Sequence, residues 1–180
     1  MVAIMDHVEF LEKSKKCFEN RDIPNTLDNF EKAMEHIDRT KITNKSDYLQ
    51  LLQSVLGYCQ ENDLHEQEAL VLRALGRVHS LFKQHAESMK YHYQSLKIQK
   101  RLGKKVEVAE GLVFLAEDLE VSGNYDKSVE IFGEASNKFQ DLGKLRQVKD
   151  IAKEITRLKE FSKEMVEDEY MLNKYHVDNY

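Results

Sequence analysis

The chain has 180 residues, 41% of them hydrophobic and 33% charged, with one proline, seven glycines and no tryptophan. So few breakers and so many charges exclude a turn-rich sheet protein and fit long amphipathic helices with solvated outer faces. A net charge of −5 and a pI near 5.8 weigh against a nucleic-acid module, which needs a concentrated positive surface. The basic stretch Lys97, Lys100, Arg101, Lys104 and Lys105 is closely followed by glutamates and reads as a solvated helix face.

Helical periodicity starts at once, with Val8, Leu11 and Cys17 to Phe18 falling on one side. Arg21-Asp22-Ile23-Pro24 then breaks the run. Asp22 suits an N-cap, and proline is tolerated in the first turn because its missing N–H has no partner there. Leu27, Phe30, Met34 and Ile37 follow at spacings of three and four. Polar residues from Thr40 to Ser46 form a connection, and a third helix carries Leu49, Leu51, Leu52, Val55 and Leu56. Asp63 and Glu66 have capping-box spacing for a fourth helix reaching about Phe82.

Two more helices are expected near 86–101 and 105–121. A seventh follows Ser122-Gly123-Asn124, where glycine suits the left-handed residue ending one helix and asparagine caps the next. The last stretch, from Gly143 to about residue 175, contains no breaker and reads as one helix or two.

The chain also repeats itself. Leu102-Gly103-Lys104 returns as Leu142-Gly143-Lys144, and the same forty-residue shift sets Leu72 on Leu112, Leu75 on Leu115 and Gly76 on Ala116. It also sets Ser88 on Ser128, Ser95 on Ala135 and Val108 on Val148. Small residues at Gly76/Ala116, Ser88/Ser128 and Ser95/Ala135 allow two helices to approach closely. Tyr91/Ile131 and His92/Phe132 are expected to fill the space between repeats.

Residues 69–160 resemble tetratricopeptide repeats, and the segment Ser122–Ser128 is close to that family's Gly-x-Tyr-x-x-Ala pattern, with serine for alanine. The forty-residue period and Leu-Gly-Lys ends resemble its Pins-like and kinesin-light-chain-like branch. The resemblance implies an all-α fold, a right-handed superhelical solenoid of antiparallel helix pairs with about eight helices, in a single domain over 1–180. Within it, 63–144 carry the repeats and 145–180 a capping helix or helices. For 1–62 the phase stays open: residues 8–37 align as a repeat with Phe30 and Ala33 at family positions, which leaves the helix near 46–61 without a partner. Gly57 and Ala69 offer another frame.

The resemblance further implies a non-catalytic scaffold whose concave groove binds a peptide or helix of a protein partner. Carried onto this chain, the groove positions are Arg73, Ala74, Arg77, Ser80 and Leu81, then Glu110, Val113, Phe114, Glu117 and Glu120. Lys153, Glu154, Arg157 and Phe161 complete the set. Arg73 and Arg77 either pair with Glu110 and Glu117 or set the register of a peptide anchored on Val113 and Phe114. The lysine–arginine–asparagine set that grips chaperone tails is not assembled, so such tails are disfavoured.

Nothing in the sequence calls for a cofactor, a metal or an enzyme. His79, His85 and His92 stand six and seven residues apart, not the three or four that put two ligands on one helix face. No HExxH, GxSxG, Walker or GxGxxG motif occurs. Cys17 and Cys59 fit no metal spacing and are expected as free thiols. The residues Met1 to His7 lack the order of a signal peptide, and no run approaches the about 18 apolar residues of a membrane helix. A cytoplasmic or nuclear protein is the expectation. Phe161, Met165, Tyr170, Met171, Leu172 and Tyr175 either fold back as a cap or meet a second copy as a homodimer.

Overall fold

The structure, a computed structural model, describes residues 7–37 and 45–177, with side chains through Met165. The signal-peptide reading of the first residues and most of the connection expected from Thr40 to Ser46 lie outside them. So do the side chains of Tyr170, Met171, Leu172 and Tyr175.

Among the described residues eight helices follow one another, beginning with α1 (His7–Glu19), α2 (Ile23–Glu35), α3 (Lys45–Glu61) and α4 (His65–Leu81). They continue as α5 (His85–Arg101), α6 (Lys105–Val121), α7 (Tyr125–Asp141) and α8 (Leu145–Val177). No strand occurs among the described residues, so the expected all-α class holds. The final stretch is one helix of 33 residues.

Six of the turns share one design. The amide of the third turn residue donates to a carbonyl five residues back: Asp22 to Cys17, Leu64 to Cys59, Gln84 to His79, Lys104 to Gln99, Asn124 to Leu119 and Lys144 to Phe139. The residue before it is left-handed, with φ of 59° at Arg21, 53° at Asp63 and 58° at Lys83. Gly103, Gly123 and Gly143 take φ of 69°, 81° and 69°. This is a Schellman ending, in which the otherwise unpaired last carbonyls of the helix find donors. Its last residue also opens the next helix, so helices of 17 residues joined by three-residue turns start every twenty residues from Lys45 to Leu145.

Two expected caps differ in detail. Asp63 is the left-handed residue rather than the cap of α4; Leu64 holds that place without a side-chain bond. Asn124 stands at the cap of α7, but its side chain makes no capping bond. In both turns the Schellman amide already fixes the chain, so a side-chain acceptor is not needed. Asp22 caps α2 as expected, accepting from the Asn25 amide at 3.2 Å, and Pro24 lies in the first turn. The hydrogen bonds from Asn25, side chain first and backbone second, hold the Asp22 carboxyl below its ordinary pKa.

Close helix pairs are built at the small residues. In α4/α5 the Ser88 hydroxyl donates to the Gly76 carbonyl at 2.8 Å, and in α6/α7 Ser128 donates to the Ala116 carbonyl at 2.7 Å. The pair α1/α2 shows the same twelve-residue relation in reverse, with Ser14 donating to the Thr26 carbonyl at 2.6 Å. Seven residues beyond Thr26, Ser88 and Ser128 come Ala33, Ser95 and Ala135, all buried. So α1/α2 is a helix pair in phase with the two later ones, and α3 is the additional helix.

The chain divides into two compact units, Met1–Lys104 and Lys105–Tyr180. In the first, the core gathers side chains from α1, α2, α3 and α4, including Leu11, Phe30, Leu52, Val55 and Leu75. Helix α3 is pinned by aromatic contacts, Tyr48 edge-on to Phe30 of α2 and Tyr58 edge-on to Phe18 of α1. Arg21 lies over both the Phe18 and Tyr58 rings, at 5.0 and 4.8 Å. Val8, expected on the buried side of α1, is 50% exposed, because Leu11 and Ser14 are the residues that meet the core. In the second unit, Val108, Leu112, Leu115, Phe132, Phe139, Ile151 and Leu158 are buried along α6, α7 and α8.

His92 and Tyr91 fill space within the pair α4/α5 rather than between repeats. The His92 ring presses on Gly76, and the Tyr91 ring stacks on His79 at 5.2 Å. Gly57 meets nothing within 4 Å of a Cβ position, so it marks no close approach.

Both cysteines are free thiols, Cys59 buried and Cys17 half-buried. Burial pushes the Cys59 thiol from the usual 9.0 up to about 11, with the Glu68 carboxylate adding a smaller push. An acid whose pKa is raised in the folded state costs nothing below the unfolded value. It lowers stability as pH climbs from about 9 toward about 11, because the unfolded thiol ionises first. Titration with a chromogenic disulfide at pH 8 is expected to find Cys17 alone in the native protein and both thiols in denaturant. Prompt reaction of Cys59 in the native protein would contradict its burial.

Candidate binding faces

Arg73, Arg77 and Leu81 of α4 share one face of the first unit and are half-buried, as is Ser80. Ala74, expected on the same face, is 2% exposed and belongs to the core, because its position turns toward α3 and α2. Arg77 forms an ion pair with Glu31 of α2, 46 residues earlier. Nothing in the sequence signals that partner, since the two residues share no helix and no repeat register.

On α6 of the second unit, Glu110 and Glu117 are exposed while Val113, Phe114 and Glu120 are half-buried. Their spacing of three and four residues sets them on one helix face. Two carboxylates therefore border a partly exposed apolar strip. Lys153 and Arg157 are exposed on α8, and Glu154 is half-buried. Arg157 reaches both oxygens of Glu120, at 2.9 and 2.8 Å, and also Glu154 at 2.8 Å. The bond to Glu120, then that to Glu154, pushes the guanidinium pKa still higher. Lys153 pairs with Asp150 at 3.2 Å. An exposed network of this kind adds no more than about 1 kcal/mol, so it sets side-chain positions rather than stability. Phe161 is 42% exposed yet meets the Tyr125 ring edge-on at 5.3 Å, which ties α8 to the start of α7.

One feature of α8 is legible in the sequence once the forty-residue frame is carried past Leu142. The frame sets Ala109, Leu112, Ala116 and Leu119, all buried, on Lys149, Ala152, Thr156 and Lys159, all exposed. The face that packs a following helix in α6 is thus small and polar in α8. It forms an open depression lined by Ala152, Lys153, Thr156, Arg157 and Glu160. A polar face cannot gain from burying another helix, which suits the end of a repeat.

The histidines do not converge. His79 bonds Gln84 at 2.7 Å, and His92 lies on Gly76. Among the described residues no three His, Cys, Asp or Glu side chains come together as metal ligands, and no helix is long and apolar enough to cross a membrane. Compared with known proteins, the chain matches no protein-family model and no curated protein.

Proposed function

We propose that the protein is a non-catalytic adaptor of the tetratricopeptide-repeat type that holds a peptide or helix of a partner protein. The observation that carries this reading is the α6 face, where Val113 and Phe114 lie partly open between the exposed carboxylates Glu110 and Glu117. Apolar side chains give such a site its affinity, and the flanking charges fix the register of the segment laid on it. A segment with an apolar anchor between basic residues is the chemistry that fits. Glu120 bonds Arg157, and Glu110 and Glu117, exposed on either side of the apolar strip, are the carboxylates assigned to set the register of the ligand. On the first unit, Arg73, Arg77 and Leu81 share a face of α4 of their own, where Arg77 is held by Glu31. A cytoplasmic or nuclear site of action fits the free thiols Cys17 and Cys59.

The reading is tested by quantitative affinity capture with the wild type, Phe114→Ala and Glu117→Arg. A specific partner captured by the wild type is expected to fall at least tenfold with either variant, while far-ultraviolet circular dichroism stays unchanged. Equal capture by all three proteins would remove the α6 face from consideration.

A further inference from the structure

Charge is segregated along this chain. Residues 88–106 carry six lysines and arginines and no acid, although the chain as a whole is at −5. Most of that charge is on α5. Lys90, Lys97 and Arg101 are spaced seven and four apart, so they line one stripe of the helix, with Lys100 and Tyr93 beside it. All five are exposed, Tyr93 to 51%. Lys90 has Glu87 at 3.5 Å, but Lys97, Lys100 and Arg101 have no ion-pair partner among the described residues. A solvated helix face ordinarily mixes its charges, and this one does not.

The complementary surface is on α8. Residues 160–169 hold Glu160, Glu164, Glu167, Asp168 and Glu169 against a single Lys163. Glu160 and Glu164 are spaced four apart, which again sets them on one helix face. Glu160 and Glu164 are exposed and have no ion-pair partner among the described residues. Phe161 and Met165 flank that stripe and stay 42% and 49% exposed. At 33 residues, α8 is about twice the length of the 17-residue α7 beside it, so beyond Phe161, which meets Tyr125, it runs on past the start of α7.

We infer that the chain associates with a second copy of itself, the acidic stripe of α8 in one copy lying along the basic stripe of α5 in the other. The occupant follows from complementarity of charge. Each surface is one helix face bearing charges at four- to seven-residue spacing, one positive and one negative, and each has exposed apolar side chains at its margin. Opposed stripes of this kind steer association and fix register, and the adjoining Tyr93, Phe161 and Met165 supply apolar area. The substitutions that test it leave Phe114 and Glu117 unchanged, so its failure and that of the α6 reading are told apart.

Sedimentation velocity and light scattering on the full chain test the inference. At about 0.05 M salt the mass is expected to be twice that of the monomer, and at about 0.5 M salt it is expected to return to one, since screening weakens exposed pairs. Lys97→Glu with Arg101→Glu is expected to give a monomer at low salt, as is Glu160→Lys with Glu164→Lys. Mixing these two variants restores opposite charge at both contacts, so the mixture is expected to regain the double mass. All four positions are exposed, and circular dichroism checks that the helices persist. A wild type that stays monomeric at low salt overturns the inference. So does a dimer whose mass ignores the charge reversals or the mixing, including one held only by apolar contacts.

Discussion

Gly76→Ala is expected to destabilise the protein by about 1–3 kcal/mol, although alanine is the better helix former by about 1 kcal/mol. A Cβ at residue 76 would lie 2.7 Å from His92 Nε2 and 2.8 Å from two ring carbons. Real side chains do not tolerate such distances. The His92 ring is 1% exposed, so within a close-packed interior either the ring must turn or α4 and α5 must part. Parting of the helices would also lengthen the Ser88 bond to the Gly76 carbonyl. Thermal or urea unfolding measures the loss directly. The decisive comparison is the double variant Gly76→Ala with His92→Ala, where the added methyl enters the space left by the ring. There the alanine at 76 is expected to cost nothing or to stabilise, giving a coupling of about 1–3 kcal/mol between the sites. Additive single and double variants would show that ring and glycine do not confront each other.

Phe30→Ala is expected to cost more, about 3–5 kcal/mol, because it empties a fully buried aromatic site. Phe30 is 0% exposed and meets Tyr48 edge-on at 5.9 Å, so its loss also removes the contact holding α3 to α2. Equilibrium urea unfolding should show a lower midpoint with an unchanged slope if the native helices persist. Phe30→Leu retains most of the apolar contact and is expected to lose less than half as much. A change under about 1 kcal/mol for the alanine variant would mean that α3 is held by other contacts.

The groove positions are those the family resemblance implies, and the structure sorts them by what each touches. Arg77 and Arg157 are tied to Glu31 and Glu120, and Ala74 is core. Glu110 and Glu117 are exposed on the face of α6 that Val113 and Phe114 share. Helix register supplies a direction for each side chain and nothing about a partner 46 or 37 residues away. The ion pairs were therefore out of reach of the sequence.

The turns show a similar boundary. At Gly103, Gly123 and Gly143 the residue itself announces a left-handed conformation, because it alone adopts positive φ without a Cβ penalty. Arg21, Asp63 and Lys83 take the same conformation with no such signal, imposed by the Schellman bonds and the packing on either side. The twenty-residue stride is therefore written openly only at Gly103, Gly123 and Gly143. Two of its steps are hidden in Asn62-Asp63-Leu64 and Phe82-Lys83-Gln84.

The sequence by itself determined what is local: the helical class, the glycine turns, the Asp22 cap and the small residues that bring helices together at 76/88 and 116/128. These depend on φ, on side-chain size and on periodicity, all of which are written within a few turns of chain. Tertiary structure alone decided the phase of the first helices, setting α1 with α2 through Ser14 and Thr26 and leaving α3 pinned by Tyr48 and Tyr58. It also decided which side of His92 is filled, since burial is a property of the neighbours that folding supplies.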